Sequence, residues 1–191
     1  MKDSLRLILF VVILGTLLSA VILGVNSYTA PRIARNDALA IKRKVLDAQK
    51  IDFQEQNVEQ VFDQNVQVVE KGGRTFYVLA NGDVAFQFAG PGLWGPISGV
   101  ISLQSDLQTI KRITIIHQEE TAGLGGRLAE RSYMVNFENK KFLPAIELVN
   151  KRKAEKENEV DAISGATLTS KAFEKLLNGQ VHQSVAAYGG K

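Results

Sequence analysis

The sequence predicts an α+β protein in which one membrane-spanning helix precedes a single domain built on an antiparallel sheet with flanking helices. Three observations support this class. Residues 7–25 form an uncharged apolar run, residues 66–117 contain short apolar and β-branched runs separated by turn residues, and residues 168–178 have helical apolar spacing. Strands that follow one another directly, with helices before and after them, are typical of α+β folds.

The composition limits the chemistry that the chain can carry by itself. Its 191 residues leave room for one domain and an anchor, and a hydrophobic content of 45% suffices for a core. The absence of cysteine excludes disulfides and thiolate-bound zinc or iron–sulfur centres. With only two histidines we expect no metal site, so an electron carrier of this composition needs an organic cofactor. The net charge of +3 gives no case for nucleic-acid binding.

Residues 7–25 have the length and composition of a transmembrane helix. Helical residues rise about 1.5 Å each, so this run approaches the thickness of the hydrocarbon core of a bilayer. A cleaved signal peptide would have an apolar region of only about 7 to 15 residues. Pro31 also follows the one plausible cleavage site. We therefore expect a short tail at residues 1–6 and an uncleaved anchor that contacts membrane lipid.

The segment between the anchor and the sheet, residues 26–57, is expected to be a juxtamembrane linker with an amphipathic helix. Apolar residues recur at helical spacing within residues 38–50, and Asn36 or Asp37 could cap the start of that helix. The main domain is then assigned to residues 58–191, beginning with a short helix around Phe62.

Several strands are expected in this domain. A hairpin is indicated by the pair Asn81-Gly82, because a type I′ turn needs positive φ at both central residues. Residues 151–159 are highly charged without an apolar face, and we expect a solvated loop there. The predicted strands are residues 66–70, 75–80, 83–89, 98–103, 109–117 and 145–150.

The stretch before residues 168–178 suits an anion. Gly179 is a natural C-cap for the helix predicted there, while Ser164 and Thr167 lie near its start. Free N–H groups and the helix dipole favour a phosphate at such a position, and Gly165 allows a ligand to approach closely. The simpler alternative is a loop followed by an ordinary N-cap, which is the more frequent meaning of Ser-Gly-Ala-Thr alone.

Two other segments are rich in glycine. Residues 90–95 present Leu93 and Trp94 between glycines, and residues 119–126 directly follow a strand. Apolar side chains could cover the face of a planar ligand, and backbone N–H groups could meet its polar edge. Taken separately, each loop is more often a simple turn.

Together these segments resemble the FMN-binding subunits of two related membrane complexes. These subunits are RnfG of the Rnf ferredoxin:NAD oxidoreductase and NqrC of the Na⁺-translocating NADH:quinone reductase. The resemblance rests on Gly92-Leu93-Trp94 with residues 97–100, on residues 117–126 and on residues 161–170, and it covers nearly the whole chain. One departure is Ala122, where the family usually has proline; this change makes the loop less rigid.

The resemblance implies a covalent flavin. Residues 161–167 are similar to a flavinylation sequence, in which the hydroxyl of the last threonine, here Thr167, forms a phosphoester with FMN. A magnesium-dependent flavin transferase would attach the FMN. The resemblance implies that the transferase and the phosphate would meet Asp161, Ser164, Gly165 and Ala166. It also implies a pocket lined by Leu93, Trp94, Glu120, Thr121, Gly123, Leu124 and Gly125.

The resemblance further implies the role of the chain. It would be a redox subunit without catalytic residues of its own, relaying electrons between neighbouring subunits while the complex moves Na⁺ or H⁺. Gly-Leu-Trp is more like NqrC, whereas the short length and abrupt C-terminus are more like RnfG, which we favour. Two alternatives are a membrane-anchored interaction or assembly module without a cofactor and a solitary extracytoplasmic flavoprotein.

The orientation in the membrane has two conflicting indications. Five basic residues follow the anchor and two precede it, so a charge count alone would leave the domain in the cytoplasm. The resemblance implies a single-pass protein of the cytoplasmic (inner) membrane with its main domain on the extracytoplasmic, or periplasmic, side. We follow the resemblance, because the short N-terminal tail is also positively charged.

Overall fold

The computed structural model describes residues 2–189, so residue 1 of the expected tail and residues 190–191 of the expected domain lie outside the described range. The chain divides into two compact units, Met1–Leu39 and Ala40–Lys191. The fold is α+β, as the sequence predicts, with a five-stranded antiparallel sheet and flanking helices.

The first helix, α1 (Lys2–Ala48), contains the predicted anchor and is long and apolar enough to cross a membrane. The prediction that a separate helix starts at Asn36 or Asp37 is wrong, because α1 continues through Pro31 and both of these residues. A proline removes only one backbone hydrogen bond, which a helix of 47 residues can lose without ending. The last residues of α1 belong to the core of the second unit, where Val45 and Leu46 are fully buried.

The sheet contains five strands in sequential order, and each pairs antiparallel with its neighbours. The helix predicted around Phe62 is α2 (Val58–Asn65), which leads directly into the first strand. Alternating and β-branched runs predicted all five strands to within about two residues, the usual uncertainty at element ends. The strands are β1 (Val66–Lys71), β2 (Arg74–Leu79), β3 (Val84–Pro91), β4 (Pro96–Leu103) and β5 (Ile110–His117).

The turn between β2 and β3 is not the predicted type I′ turn. Gly82 has a φ of +86°, but Asn81 is not among the non-glycine residues with positive φ. The N–H of Gly82 donates to the carbonyl of Leu79 at 2.9 Å. The side-chain oxygen of Asn81 accepts from the N–H of Asp83 at 3.1 Å. This local hydrogen bond holds Asn81 in a tight polar turn in which only the glycine needs left-handed geometry.

The last helix, α4 (Thr167–Gly189), packs against the sheet. Phe173 is fully buried, with its ring centroid 6.2 Å from that of Phe88 and 5.9 Å from that of Phe137. The prediction that Gly179 caps this helix is wrong, because ten further residues are helical after it. Burial of Val181 on the same apolar face outweighs the cost of about 1 kcal/mol that an internal glycine adds.

A second, two-stranded sheet lies before α4. The predicted last strand is β6 (Glu147–Val149), and it pairs in parallel with β7 (Glu159–Asp161), which the sequence did not predict. Between β5 and β6 lie α3 (Arg131–Met134) and two 3₁₀ turns, Gly125–Ala129 and Val135–Phe137.

The prediction that residues 151–159 form a solvated loop is wrong at its end, where Glu159 is fully buried. The guanidinium of Arg152 binds both carboxylate oxygens of Glu159, and the N–H groups of Glu155 and Lys156 also donate to it. The Arg152 hydrogen bonds, reinforced by these N–H groups, lower the pKa of Glu159 against the opposing effect of burial. A charged residue can therefore be an internal anchor for the turn before β7.

This ion pair predicts a pH-dependent loss of stability on Glu159→Gln. The folded pKa lies below the unfolded value of about 4.3, so the contribution is fully present above that pH and is lost as pH falls through the folded pKa. Denaturant unfolding of the full chain in detergent should show the variant less stable at pH 7, with a smaller difference at pH 3. The matched control is Glu157→Gln at an exposed position, which should leave stability unchanged at both values. An equal loss at pH 3 and pH 7 would contradict this role.

Candidate functional site

The site is built on the first turn of α4, which begins at Thr167 as the sequence predicts. Ser170 fixes the chain before it: its hydroxyl accepts from the N–H of Ile163 at 3.1 Å and donates to the carbonyl of Ala166 at 3.0 Å. Gly165 turns the backbone with a φ of +79°, which other residues rarely adopt. The N–H groups of the first turn have no acceptor within the helix and point out from its positive end.

Two short loops face this helix end. The loop of residues 92–95 joins β3 to β4 and is closed by a 2.8 Å hydrogen bond from the N–H of Gly92 to the carbonyl of Gly95. The loop of residues 121–126 follows β5, and the carbonyl of Thr121 accepts from the N–H groups of Leu124 and Gly126. The pairing of the strands therefore places both predicted glycine-rich loops next to the start of α4.

A cavity of about 260 Å³ lies between these three segments. It brings together eight of the twelve predicted site residues, and two further residues line it. The predicted residues are Leu93, Trp94, Thr121, Leu124, Gly125, Gly165, Ala166 and Thr167, and the additional ones are Leu168 and Thr169.

The helical apolar spacing of residues 168–178 includes Leu168, but the structure does not bury this residue. Its side chain is 64% exposed at the cavity. The spacing of apolar residues shows which of them share a helix face, but the first residues of a helix project beyond the element it packs on. The signal that could have identified Leu168 and Thr169 is their position within the same first turn as Thr167.

The other four predicted residues do not line the cavity. Asp161 lies in β7, where its carboxylate accepts from the N–H of Ala154 at 2.7 Å. Ser164 is exposed, and Gly123 forms the exposed tip of its loop with a φ of +74°. Glu120 is only 6% exposed and contacts residues of the lining from behind.

The backbone of Asp161 is also held in place. Its carbonyl accepts a 3.1 Å hydrogen bond from the hydroxyl of Tyr133. Burial, and then the nearby charge of Asp161, raises the pKa of Tyr133. The phenol therefore stays protonated at neutral pH and remains a donor, so the stretch that leads into the site is anchored to α3.

The lining has two chemically different sides. Large apolar side chains remain exposed at the cavity, namely Leu93, Trp94, Leu124 and Leu168, with Trp94 at 72%. The other side offers the Thr167 hydroxyl and the N–H groups of the α4 first turn. Exposed apolar clusters of this kind usually mark a binding surface. The lining suits a flat, largely apolar ligand that carries an anionic group.

Residues 92–181 match the family model of the FMN-binding domain, and this range contains the cavity and every predicted site residue. The chain is therefore similar to this family in that range, and the resemblance to the FMN-binding subunits of the quinone reductase and Rnf complexes is supported. FMN fits the lining, since its ring system is planar and its phosphate is anionic.

Curated relatives agree with this assignment. The NqrC subunit of the Na⁺-translocating NADH-quinone reductase of Haemophilus ducreyi is 38% identical over 96 residues, which are 48% of this chain and 37% of the relative. The same subunit of Pasteurella multocida is 39% identical over 92 residues, 46% of this chain and 35% of the relative. The matched region thus spans little more than a third of each relative.

Solved structures show the same fold. The NqrC crystal structure of Shewanella oneidensis superposes with a TM-score of 0.66 at 18% identity, covering 73% of this chain and 89% of that one. The same subunit of the Na⁺-translocating NADH-quinone reductase of Parabacteroides distasonis gives 0.69 at 23% identity, covering 81% and 92%. At such low sequence identities, the structural similarity shows a shared fold and nothing further.

The tight packing at Gly125 yields a second testable prediction. A Cβ at this position would lie 2.6 Å from Oγ1 and 2.8 Å from Cγ2 of Thr169, so Gly125→Ala should push the loop away from α4. We expect a loss of about 1 to 3 kcal/mol, the usual cost of overpacking. The control is Gly179→Ala, where a Cβ meets open space inside a helix and should be neutral or stabilising. Denaturant unfolding of both variants measures the contrast, and equal stabilities would argue against close contact.

Proposed function

We propose that this chain is a membrane-anchored electron carrier that holds FMN covalently on Thr167. The observation that carries the proposal is the position of this hydroxyl. Thr167 is the first residue of α4 and lines the cavity within the range that matches the FMN-binding domain model. Its hydroxyl and the neighbouring N–H groups favour the phosphate end of FMN.

Different residues of the site would hold different parts of the cofactor. Leu93, Trp94 and Leu124 would cover apolar surface of the ring system and keep water from it. Thr167 would carry the phosphoester, and the first turn of α4 would stabilise its negative charge. When bound, FMN supplies the capacity to accept and donate electrons. A covalent link removes dissociation altogether, which suits a relay exposed to dilution.

The complex in which this carrier works is part of the proposal. The sequence motifs left the choice between two complexes open, with a preference for Rnf. The curated relatives named above are both NqrC subunits of the quinone reductase, so we now favour a protein of that type, in contact with further membrane and redox subunits. Electron flow through it would be coupled to Na⁺ movement elsewhere in the complex.

The topology is proposed on two grounds. Residues 7–25 lie in a helix suited to crossing a bilayer, and attachment by a flavin transferase acting outside the cytoplasm requires the domain on that side. We therefore propose one transmembrane pass, surrounded by membrane lipid, with residues 58–191 on the extracytoplasmic side.

The attachment is tested by co-expressing the chain with an active flavin transferase and examining denaturing gels for flavin fluorescence. The wild-type band should fluoresce and the Thr167→Val band should be dark, because valine keeps the shape but lacks the hydroxyl. The matched control is Thr121→Val, which removes a hydroxyl from the same cavity and should remain fluorescent.

Two results would contradict the proposal. A fluorescent Thr167→Val band would place the link elsewhere. A dark wild-type band, with the transferase working on a control protein, would instead favour an anchored interaction module without a cofactor.

A further inference from the structure

Glu120 makes a set of contacts that neither the motif nor the cavity lining explains. Its Oε1 accepts from the backbone N–H groups of Leu93, at 2.7 Å, and Trp94, at 3.1 Å. Its Oε2 accepts from the hydroxyl of Thr169 at 2.7 Å. The side chain is 6% exposed, and all three donors belong to other segments of the chain. One carboxylate therefore joins the loop of residues 92–95 to the first turn of α4.

The glycines around Glu120 support the same interpretation. A Cβ on Gly92 would collide with Oε1 of Glu120, and one on Gly125 would lie 3.0 Å from Cβ of Glu120. A Cβ on Gly95 would lie 2.5 Å from the side chain of the preceding residue, Glu119. Gly92 and Gly95 thus pack closely against these glutamates, and Gly125 packs chiefly against Thr169, the partner of Glu120 on α4.

We propose that Glu120 is a positioning residue that fastens the loop of residues 92–95 to the start of α4, so that the cavity is shaped before FMN is attached. The inference rests on the proposed function, because it concerns the same cavity. It assigns Glu120 no contact with FMN. Its effect passes through Trp94 on one side and through Thr169, two residues from the attachment hydroxyl, on the other.

The chemistry of a buried carboxylate explains why this link is strong. Hydrogen bonds to a charged acceptor are shorter and stronger than those between neutral groups. Removing the acceptor would leave the N–H groups of Leu93 and Trp94 without a partner. Water would then accept from these N–H groups, and the loop would no longer be held to Glu120. The apolar side of the cavity would lose its fixed distance from Thr167.

Glu120→Gln separates geometry from charge. The amide oxygen can accept from both backbone N–H groups, and the amide NH₂ can donate to the Thr169 hydroxyl, which can act as an acceptor. This variant should therefore keep the loop in place, whereas Glu120→Ala removes all three contacts. Thr169→Val removes only the contact to α4 and touches neither Leu93 nor Trp94 directly.

The test is amide hydrogen exchange of the full-length chain in detergent, produced without a transferase. In Glu120→Ala, exchange at Leu93 and Trp94 should be at least about tenfold faster than in the wild type, because both amides lose their acceptor. Glu120→Gln should stay close to the wild type. Unchanged protection of β4, whose residues are largely buried, shows that the fold is intact.

The contact between Glu120 and α4 is tested by Thr169→Val, which should also speed exchange at Leu93 and Trp94. Its matched control is Thr75→Val, which removes a threonine hydroxyl from another glutamate, Glu70, at an exposed position. This control should leave both amides unchanged. Wild-type exchange at Leu93 and Trp94 in Glu120→Ala, or in Thr169→Val, overturns the proposal.

A second readout connects the link to flavin attachment. With a transferase present, the initial rate of covalent flavin incorporation should fall at least about tenfold in Glu120→Ala and be restored in Glu120→Gln, following the loss and retention of the contacts. A wild-type rate in Glu120→Ala despite fast exchange overturns the positioning role. Failure of the proposed function can be distinguished from failure of the positioning role. If the proposed function is wrong, the wild type takes up no flavin, while the differences in amide exchange between the variants and the wild type remain.

Discussion

The packing of α4 on the sheet is the interaction on which the remaining structure depends. Phe173 lies between Phe88 of the sheet and Phe137 of the segment before β6, and it is fully buried. Because a helix is rigid over two turns, fixing Phe173 also fixes Thr167 six residues earlier. Hydrophobic packing holds the helix on the sheet but is not directional. The orientation of the first turn of α4 must therefore come from polar contacts at that end of the helix. Ser170 and Glu120 provide those contacts.

The sequence predicted the elements whose formation depends on local information. Strands β1 to β5 follow from apolar alternation and turn residues, and the start of α4 follows from small polar residues before a helical run. Errors occurred where long-range contacts decide the result. Gly179 resembles a helix end until the sheet beneath α4 is known, and β7 becomes a strand because Glu159 is neutralised by Arg152 and paired with β6.

In the candidate site, too, local motifs could be predicted and long-range contacts could not. Eight of its lining residues could be predicted because they lie in short motifs that the resemblance makes recognisable. The position of Glu120 could not, since Leu93 is 27 residues away along the chain and only the pairing of β3, β4 and β5 brings the two together. Glycine-rich motifs also mislead in a specific way, because a glycine can be required by a neighbouring protein side chain as well as by a ligand.

The exposed side chain of Trp94 has a spectroscopic consequence. It is the only tryptophan in the chain and lies at the edge of the cavity. All indole emission from this protein therefore originates at one position, beside the surface proposed to hold the isoalloxazine ring. Indole emits at wavelengths that oxidised flavins absorb, so energy transfer would darken Trp94 when the cofactor is present. The protein thus carries its own optical reporter of cofactor loading, which requires no label and reads out in real time.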